Sequence, residues 1–326
     1  MKKWLGLAAA GGLVLLVVLT VQQGVGAVLS VLDALGWGLL LAGLIHMTQV
    51  VLAALAWEAV LARDLNNSTV TIVCLRWIRE SINGMLPMAQ IGGEVFAARI
   101  LSRHGVSGGT AGASIVVDTT LELVTQILFT LIGLALLFGD GRHDEMARAL
   151  LLATLVSALI VTSFVIAQRH GLFHGVEKLL NWFSDRLPTL ELGQLQGLHD
   201  SVHRLYANPR AVLAGCFWHL LSWLVGAVEI WLILDFSGIH ISWKNALLME
   251  SLGQAARSAA FMVPGALGVQ EGAYMLIGSL VGLPPPVSLG LSLARRAREL
   301  LLGLPGLLVW LHFSRRPAAL LDVEEA

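Results

Sequence analysis

Long apolar stretches, separated by shorter polar ones, dominate the chain. Six of them are long enough to cross about 30 Å of hydrocarbon, and they lie near residues 5–22, 36–61, 110–138, 149–168, 211–235 and 287–312. Two further regions, near 70–101 and 246–283, are also apolar but contain proline and glycine in the middle. The pattern predicts an all-α polytopic membrane protein with about six transmembrane helices and two helical hairpins.

The positive charges indicate how the chain crosses the membrane, because cytoplasmic loops carry an excess of Lys and Arg. Four basic groups flank the apolar stretches: Lys2 and Lys3, Arg99 and Arg103, Arg169, and Arg315 and Arg316. All four fall on one side if each broken region enters and leaves by the same face. The charges therefore predict two re-entrant hairpins that enter from opposite faces, with both termini in the cytoplasm.

The two broken regions resemble each other. Ser81–Glu94 reads SINGMLPMAQIGGE and Ser258–Glu271 reads SAAFMVPGALGVQE, and they align without a gap at an offset of 177 residues, with five identical positions. The same offset carries the third span onto the sixth and the second onto the fifth. We infer an inverted internal duplication within one transmembrane domain, 1–326. Its expected parts are a first half (1–138), the fourth span with a cytoplasmic amphipathic insert (139–210), a second half (211–316) and a short tail (317–326).

In many transporters, inverted repeats with broken helices form a binding site near the membrane midplane. In each hairpin we expect one half-helix to end near Pro87 or Pro264. The next should begin near Gly92 or Gly268, with its N–H groups and positive dipole end directed inward, where they suit a phosphate or carboxylate. The candidate substrate-binding or gating residues in the hairpins are Asn83, Pro87, Gln90, Gly92, Gly93, Glu94, Arg257, Pro264, Gly265, Gly268 and Glu271.

Glu94 and Glu271 occupy the same place in the two hairpins, and two interpretations fit them. An acidic residue in the first turn of a helix interacts favourably with the helix dipole, by a few tenths to ~1 kcal/mol. Alternatively, the two residues form a proton or cation site or contact a polar headgroup. The repetition of the pair favours this second interpretation.

The third span carries acidic residues in the middle of its apolar sequence. Asp118, Glu122 and Gln126 recur every four residues and form one polar line along the helix. An acid that faces lipid at the bilayer centre costs about 2.5–3.5 kcal/mol on insertion scales. We therefore expect this line to face the protein interior.

The sixth span carries four charged residues within five positions: Arg295, Arg296, Arg298 and Glu299. Helical spacing predicts that Arg296 leaves the face that the other three share. One hypothesis is an interior salt bridge from Asp118 or Glu122 to Arg295 or Arg298. The other is that the arginines bind an anionic headgroup, since the guanidinium fork suits phosphate.

Polar residues recur at helical spacing in two other spans: His46, Gln49 and Glu58 in the second, and His219, Ser222 and Glu229 in the fifth. A proton relay and ordinary interior hydrogen bonding both fit this pattern.

The segment between the fourth and fifth spans is amphipathic. Apolar residues recur at helical spacing over 172–187 and again at Leu195, Leu198, Val202 and Leu205. This predicts helices at the cytoplasmic surface, which pack either on the membrane or on the protein itself.

Composition narrows the class of function. The chain is 56% hydrophobic and 13% charged with a formal net charge of −1, and its mean hydropathy is +0.76. These values indicate a membrane protein whose partners are lipids or apolar molecules rather than nucleic acid. The sequence contains no HExxH, GxSxG or P-loop motif, and Cys74 and Cys216 have no metal-ligand spacing. We therefore expect neither an enzyme nor a cofactor or metal.

Three segments resemble a known family. LPMAQIGGEVFAARIL, ASIVVDTTLELVTQILF and FMVPGALGVQEGAYML are similar to signature segments of the lysylphosphatidylglycerol synthase transmembrane region, a flippase-like family. RWIRESINGMLPMAQIGGE is most similar to the branch associated with hopanoid biosynthesis. The resemblance implies that function resides in Pro87, Gly92, Gly93, Glu94, Arg99, Asp118, Glu122, Pro264, Gly265, Gly268 and Glu271.

In the full-length synthases of that family, an aminoacyltransferase domain follows the flippase region. The present chain ends at Ala326, so the resemblance implies lipid translocation without aminoacylation. We expect a lipid flippase or transporter of the bacterial inner membrane, whose substrate is an anionic phospholipid, a polyprenyl-phosphate-linked lipid or a hopanoid-related lipid. The alternative is a non-transporting, lipid-binding partner of lipid-biosynthesis proteins.

Overall fold

The computed structural model describes residues 33, 35–61, 68–86, 92–139, 145–169, 197–260 and 263–315. Within these ranges the chain forms helices and no strand, which confirms the all-α class. The helices are α1 (Gly38–Val60), α2 (Thr69–Met85), α3 (Gly92–Arg103), α4 (Gly108–Gly139), α5 (Glu145–Arg169), α6 (Leu198–Tyr206), α7 (Pro209–Phe236), α8 (Trp243–Ala259), α9 (Val269–Leu280) and α10 (Pro285–Arg315), with a 3₁₀ turn at Pro264–Ala266 between α8 and α9.

Within the described part of the chain, four helical segments are long and apolar enough to cross a membrane: Gly38–Val60, Gly108–Gly139, Leu151–Gln168 and Pro209–Phe236. They match the second to fifth predicted spans, and the chain is a polytopic membrane protein. The sixth predicted span forms α10, which has 31 residues and a length of about 46 Å at the helical rise. Four charged residues interrupt its apolar sequence, and α10 is not one of the four segments. The first predicted span, 5–22, lies outside the described residues.

The first broken region forms the helix pair α2 and α3. The hydroxyl of Ser68 caps α2 by accepting a backbone N–H of the first turn. α2 ends at Met85, two residues before Pro87, and the residue that precedes a proline disfavours helical backbone. α3 then begins at Gly92, as the sequence predicts. Pro87 and Gln90 themselves lie outside the described residues.

The second broken region also forms a helix pair, α8 and α9, but α8 ends at Ala259 and not next to Pro264 as the sequence predicts. Ser242 caps α8 with its hydroxyl. The connection contains the 3₁₀ turn, and both Gly265 (φ +60°) and Gly268 (φ +76°) adopt positive φ. Glycine is favoured there because it has no Cβ to clash in this region. α9 begins directly after Gly268, as predicted.

The helices of the two halves pack in equivalent ways. α1 packs along α7, while α2 packs against α10 and α8 packs against α4. Within each half, α2 contacts α3 and α3 contacts α4, just as α8 contacts α9 and α9 contacts α10. The hairpin of each half therefore lies against the long helix of the other half, and the 177-residue offset relates every one of these pairs.

Close approach of the hairpins to these long helices depends on glycine. A Cβ on Gly133 of α4 would lie 2.8 Å from the Cβ of Ser251 on α8. A Cβ on Gly306 of α10 would lie 2.9 Å from the Cβ of Ser81 on α2. Small residues at helix contacts let backbones approach closely in a membrane, and the same device occurs at both contacts.

Two peripheral helices complete the described part of the chain. α6 buries Leu198, Val202 and Leu205 against α4 and neighbouring residues, so this amphipathic stripe packs on the protein. The stripe at 172–187 lies outside the described residues. α5 leaves Leu152 and Leu159 64% and 67% exposed, as expected for a helix that faces lipid.

Candidate functional site

A polar cavity of about 260 Å³ lies among α1, α2, α3, α4, α7, α8 and α10. Most of the lining is polar, although the protein around it is apolar. Buried charges are costly unless they are paired and hydrogen-bonded, so the way in which they pair determines what the cavity can bind. The charged and imidazole side chains in the lining are Arg76, Arg79, Arg257, Arg295, Arg298, Glu80, Glu94, Glu122, Glu299, His46 and His219.

On the side of the first half, α2 supplies arginines to the acids of α4. Arg79 donates to Asp118 at 2.6 Å, and Asp118 is fully buried. Arg76 donates to both carboxylate oxygens of Glu122, at 2.5 and 2.9 Å. The Nε2 of His219, on α7, lies 3.0 Å from the second oxygen of Asp118. The polar line of α4 thus faces inward, as predicted.

Glu94 connects the two arms of the first hairpin. The amide of Asn83 donates to both oxygens of Glu94 at 3.0 Å, and its carbonyl oxygen accepts the Gly93 N–H at 2.8 Å. Arg79 lies 3.6 Å from Glu94. The α3 N-terminus is therefore capped by Asn83 and not by Glu94, whose carboxylate lines the cavity.

On the side of the second half, the signs are reversed, because α10 carries the arginines. Arg295 pairs with Glu250 of α8 and donates to the hydroxyl of Tyr274 at 2.6 Å. Arg298 donates to Glu229 of α7 at 3.0 Å.

The salt bridge hypothesis was wrong about its partners. Neither Asp118 nor Glu122 pairs with Arg295 or Arg298. Buried charges require close partners, and the hairpins and α7 supply them within each side of the cavity.

His46 of α1 joins two carboxylates from different helices. Its Nε2 contacts Glu80 of α2, and its Nδ1 lies 3.4 Å from Glu229 of α7. Gln49, one turn further along α1, donates to the same oxygen of Glu229 at 2.9 Å. The polar residues of the second and fifth spans therefore meet each other.

Arg257 and Arg296 both hold the second hairpin. Arg257 pairs with Glu299 of α10 and donates to Gln270 of α9 at 3.0 Å. Arg296 pairs with Glu271 and donates to the carbonyl of Gly265 at 2.9 Å. Arg295, Arg298 and Glu299 line the cavity and Arg296 does not, which agrees with the prediction that Arg296 leaves their face; its side chain reaches the hairpin turn instead.

Glu271 differs from Glu94. Its carboxylate accepts the backbone N–H of Gly268 at 2.7 Å and is fully buried against Arg296. It does not line the cavity. For Glu271 this geometry favours the interpretation as a helix-terminal stabiliser, whereas Glu94 remains a candidate for ligand contact.

The structure places the candidate residues in three groups. Those that line the cavity are Asn83, Glu94, Glu122, Arg257, Arg295, Arg298 and Glu299. Those described elsewhere are Gly92, Gly93, Arg99, Asp118, Gly265, Gly268 and Glu271, and of these Arg99 is exposed while Asp118 lies directly behind Arg79. Pro87 and Gln90 are outside the described residues, and Pro264 begins the 3₁₀ turn.

Sequence reasoning missed four charged residues: Arg76, Arg79, Glu80 and Glu250. The first three lie at helical spacing within LRWIRES, an otherwise apolar region. Charged residues in a membrane-spanning region are rare and face the protein interior. Their spacing could therefore have identified these three residues as candidates for the cavity wall.

Ion pairs connect six arginines and eight carboxylates in and around the cavity, which we call the interior charge network. Its members are Arg76, Arg79, Arg257, Arg295, Arg296, Arg298, Glu80, Glu94, Asp118, Glu122, Glu229, Glu250, Glu271 and Glu299. His46 and His219 each contact carboxylates of this set. The carboxylates of this set outnumber the arginines by two, so two additional positive charges would neutralise the network.

One cluster within the network has atoms of metal-ligand type. Oxygens of Asp118 and Glu122 and a ring nitrogen of His219 lie within 4.8 Å of one another. Arg76 and Arg79 bond to the same two carboxylates. Their positive charges oppose a cation at this place, so the donor set is neutralised by arginine.

Comparison with known proteins identifies the family to which this chain is related. The family model for the lysylphosphatidylglycerol synthase TM region matches residues 3–306. A UPF0104 membrane protein from Methanothermobacter thermautotrophicus is 25% identical over 233 residues, which cover 66% of this chain and 67% of the relative. No solved structure shows a significant match. Because the family model spans most of the chain, the protein belongs to the family of the lysylphosphatidylglycerol synthase transmembrane region.

Proposed function

We propose that the protein moves a phosphate-bearing lipid headgroup between the two leaflets of the bacterial inner membrane, with both termini in the cytoplasm. The observation that carries this proposal is the polar cavity with five arginines in its wall. Membership of a lipid-related membrane family supports it. The cavity volume suits a headgroup and not a whole lipid, so the tails would stay in the bilayer.

The exposure of the arginines suggests an order of contact. The side chains of Arg257 and Arg76 are 27% and 11% exposed, whereas those of Arg295 and Arg298 are 4% and 3% exposed. An entering phosphate would meet Arg257 and Arg76 first. It would replace Glu299 or Glu122 as their partner, since a guanidinium binds phosphate and carboxylate through the same forked geometry.

Exchange of partners is central to this proposal. A phosphate that binds to an arginine already held by a carboxylate gains charge-assisted bonds while the carboxylate is released. The released acid then needs another partner, and the network contains several arginines and two histidines within the same cavity. A small rearrangement of ion pairs would therefore accompany headgroup entry.

The equivalent packing of the two halves supports movement and not only binding. Each hairpin lies on the long helix of the other half, as expected if the halves arose by inverted duplication and surround one site. Two related packings of the hairpins would then expose the cavity to one leaflet or the other. No chemical conversion of the lipid is required.

Vesicle assays test the proposed function. The full chain is reconstituted in vesicles of phosphatidylethanolamine and phosphatidylglycerol with a fluorescent phosphatidylglycerol, a polyprenyl phosphate or a neutral hopanoid probe, and loss of the inner-leaflet signal is followed with an impermeant quencher. We expect faster movement of one phosphate-bearing probe than in empty vesicles. Arg257→Gln should slow it roughly 10- to 100-fold, because a hydrogen bond to a charged group contributes about 1.5–3 kcal/mol.

Arg210→Gln is the matched control, because Arg210 is exposed at the first turn of α7 and lies outside the cavity. It should move the probe at the wild-type rate. Equal rates for Arg257→Gln and Arg210→Gln, or a wild type no faster than empty vesicles with either phosphate probe, would contradict the proposal and favour a lipid-binding partner that does not transport. Chemical turnover of the probe would instead indicate an enzyme.

A further inference from the structure

His46 has an unusual environment for an interior histidine. It is 8% exposed, and both of its ring nitrogens face carboxylate oxygens. The Nε2 contacts Glu80, while Nδ1 lies 3.4 Å from Glu229. This Nδ1 is buried and has no hydrogen-bond partner among the described residues. We call these three residues the His46 cluster.

The protons of this cluster can be counted from its geometry. A neutral imidazole has one N–H donor and one acceptor nitrogen, so one nitrogen would direct its lone pair at a negative oxygen. The repulsion disappears if the ring carries a second proton, or if one of the two carboxylates is protonated. In either form the cluster holds one proton more than a neutral imidazole between two carboxylates.

Such a proton would bring the interior charge network closer to neutrality. Its carboxylates exceed its arginines by two, and the two histidines that contact carboxylates are His46 and His219. The closest carboxylate of His219, Asp118, already has Arg79 at 2.6 Å. Glu80 has no arginine within ion-pair distance among the described residues, which makes His46 its principal positive partner.

Other charges around His46 come from each helix packed against α1. On α7, Glu229 is held by Arg298 of α10 at 3.0 Å, with Arg295 at 3.8 Å. Arg298 also lines the same cavity as His46 and opposes a positive ring. On α2, Arg76 lines the cavity together with Glu80, and α4 contributes Glu122. The attraction of Glu80 and Glu229 is thus balanced against nearby arginines, an arrangement that permits both binding and release of a proton.

We propose that the His46 cluster is a proton-binding site and that the proton is the ion coupled to headgroup movement; the second part rests on the proposed function. When the proton leaves, the neutral ring keeps one N–H but loses its positive charge, so its attraction for Glu80 is weaker. A small cavity of about 30 Å³ lies beside it, lined by Glu80, Arg257 and Arg298. Glu80 would then pair with Arg257, the residue at the equivalent position of the other hairpin at the 177-residue offset.

This exchange links the proton to the headgroup site. Arg257 is the most exposed arginine of the cavity and pairs with Glu299 in the described state. If Glu80 joins Glu299 as a partner of Arg257, the two hairpins are tied together and two carboxylates compete with the headgroup for this arginine. If the proton returns, His46 recovers Glu80 and Arg257 becomes available again.

The first test measures the proton without any transport. The full chain, labelled with ¹⁵N-histidine, is placed in nanodiscs of phosphatidylethanolamine and phosphatidylglycerol and titrated between about pH 5 and 8. Infrared spectra report any protonated carboxyl group. We expect one of two results: the ¹⁵N resonance that disappears in His46→Gln shows a doubly protonated ring, or the infrared spectrum shows a carboxylic acid band that Glu80→Gln removes. In either case the titration should shift in Glu80→Gln.

Exposed His240, whose side chain is 79% exposed beside Asp235, provides the control, since His240→Gln should leave the His46 titration unchanged. Glu80→Gln keeps the result decisive if His46→Gln does not fold, because the Glu80 side chain is 39% exposed. A neutral ring and no protonated carboxyl across the whole range would overturn the proton site.

The second test addresses coupling. In the vesicle assay, a pH gradient should change the wild-type rate of probe movement, and the effect should be lost in Glu80→Gln but kept in His240→Gln. A rate that ignores the gradient while the titration is present would overturn the coupling and leave the proposed function intact. If no probe moves at all, the proposed function fails, and the titration alone still decides the proton site.

Discussion

Charged residues on this chain have different roles although they lie close together. Asp118 is fully buried and holds both Arg79 and His219, whereas Glu94 and Arg257 are partly exposed to the cavity. Removing one partner of a buried pair leaves the other charge uncompensated. Substitutions of deep and of cavity-facing residues should therefore separate stability from function.

Asp118→Asn should lower the free energy of unfolding by ~3–5 kcal/mol, because Arg79 would stay charged and buried without its closest carboxylate partner. Thermal unfolding in detergent measures the effect. The double variant Asp118→Asn, Arg79→Gln should recover part of the loss, as expected for residues in direct contact. Asp235→Asn is the control, since its pair with exposed His240 contributes under about 1 kcal/mol. If Asp118→Asn and Asp235→Asn lower the stability equally, the buried pair of Asp118 and Arg79 does not stabilise the fold as expected.

Glu94→Gln and Glu271→Gln should behave differently, although the sequence makes them equivalent. Glu271 stabilises the second hairpin through Gly268 and Arg296, so its loss should reduce thermal stability by about 1–3 kcal/mol. Glu94 should affect lipid movement more than unfolding, because its carboxylate faces the cavity and Asn83 can still hydrogen-bond a glutamine. The same pattern of effects in both variants would refute this distinction.

The helices depend on small residues where backbones meet. A Cβ on Gly93 would lie 2.8 Å from the Cα of Arg79, so α3 cannot approach α2 if the glycine is replaced. In the second hairpin, a Cβ on Gly272 of α9 would have no atom of the described residues within 4 Å. The two glycines thus form a matched pair for testing the hairpin packing.

Gly93→Ala should destabilise the protein by ~1–3 kcal/mol because overpacking forces the backbone to shift. Gly272→Ala should be neutral or stabilising by up to about 1 kcal/mol, since alanine is the better helix former. Thermal unfolding of both variants in detergent provides the comparison. If Gly93→Ala is as stable as Gly272→Ala, the α2 and α3 contact is not as tight as the structure describes.

Local signals explain why the end of α2 and the starts of α3 and α9 could be predicted from the sequence. Pro87 disfavours continuation of α2, and Gly268 adopts the positive φ that glycine permits. Each of these signals acts on its own neighbours and needs no knowledge of the rest of the fold. The start of α3 at Gly92 and the start of α9 after Gly268 could therefore be predicted from the sequence.

Pairing among the interior charges could not be predicted in the same way. Helical spacing placed Asp118 on an inward face, but it does not tell which of six interior arginines comes within reach. Arg79 reaches Asp118 across 39 residues of sequence, and His46 reaches Glu229 across an even longer separation. These contacts depend on how α1, α2, α4 and α7 meet in space, which periodicity within one helix does not specify.

At the scale of the whole molecule, two similar halves surround one charged cavity. In the first half, arginines on the hairpin meet acids on the long helix. In the second half, Glu250 on the hairpin meets Arg295 on the long helix, while Arg257 on the hairpin meets Glu299 on the long helix. This pairing is able to change when an additional charge, from a headgroup or a proton, enters the cavity.

Occupation of this cavity by a lipid headgroup is the central claim, and native mass spectrometry with lipid identification tests it most directly. The wild type, Arg257→Gln and Arg210→Gln are purified gently and their bound lipids identified. We predict that one phosphate-bearing lipid is enriched on the wild type and on Arg210→Gln and is lost from Arg257→Gln. If all three carry the same bulk phospholipids, or a neutral lipid that Arg257→Gln retains, the arginine cavity does not hold the headgroup.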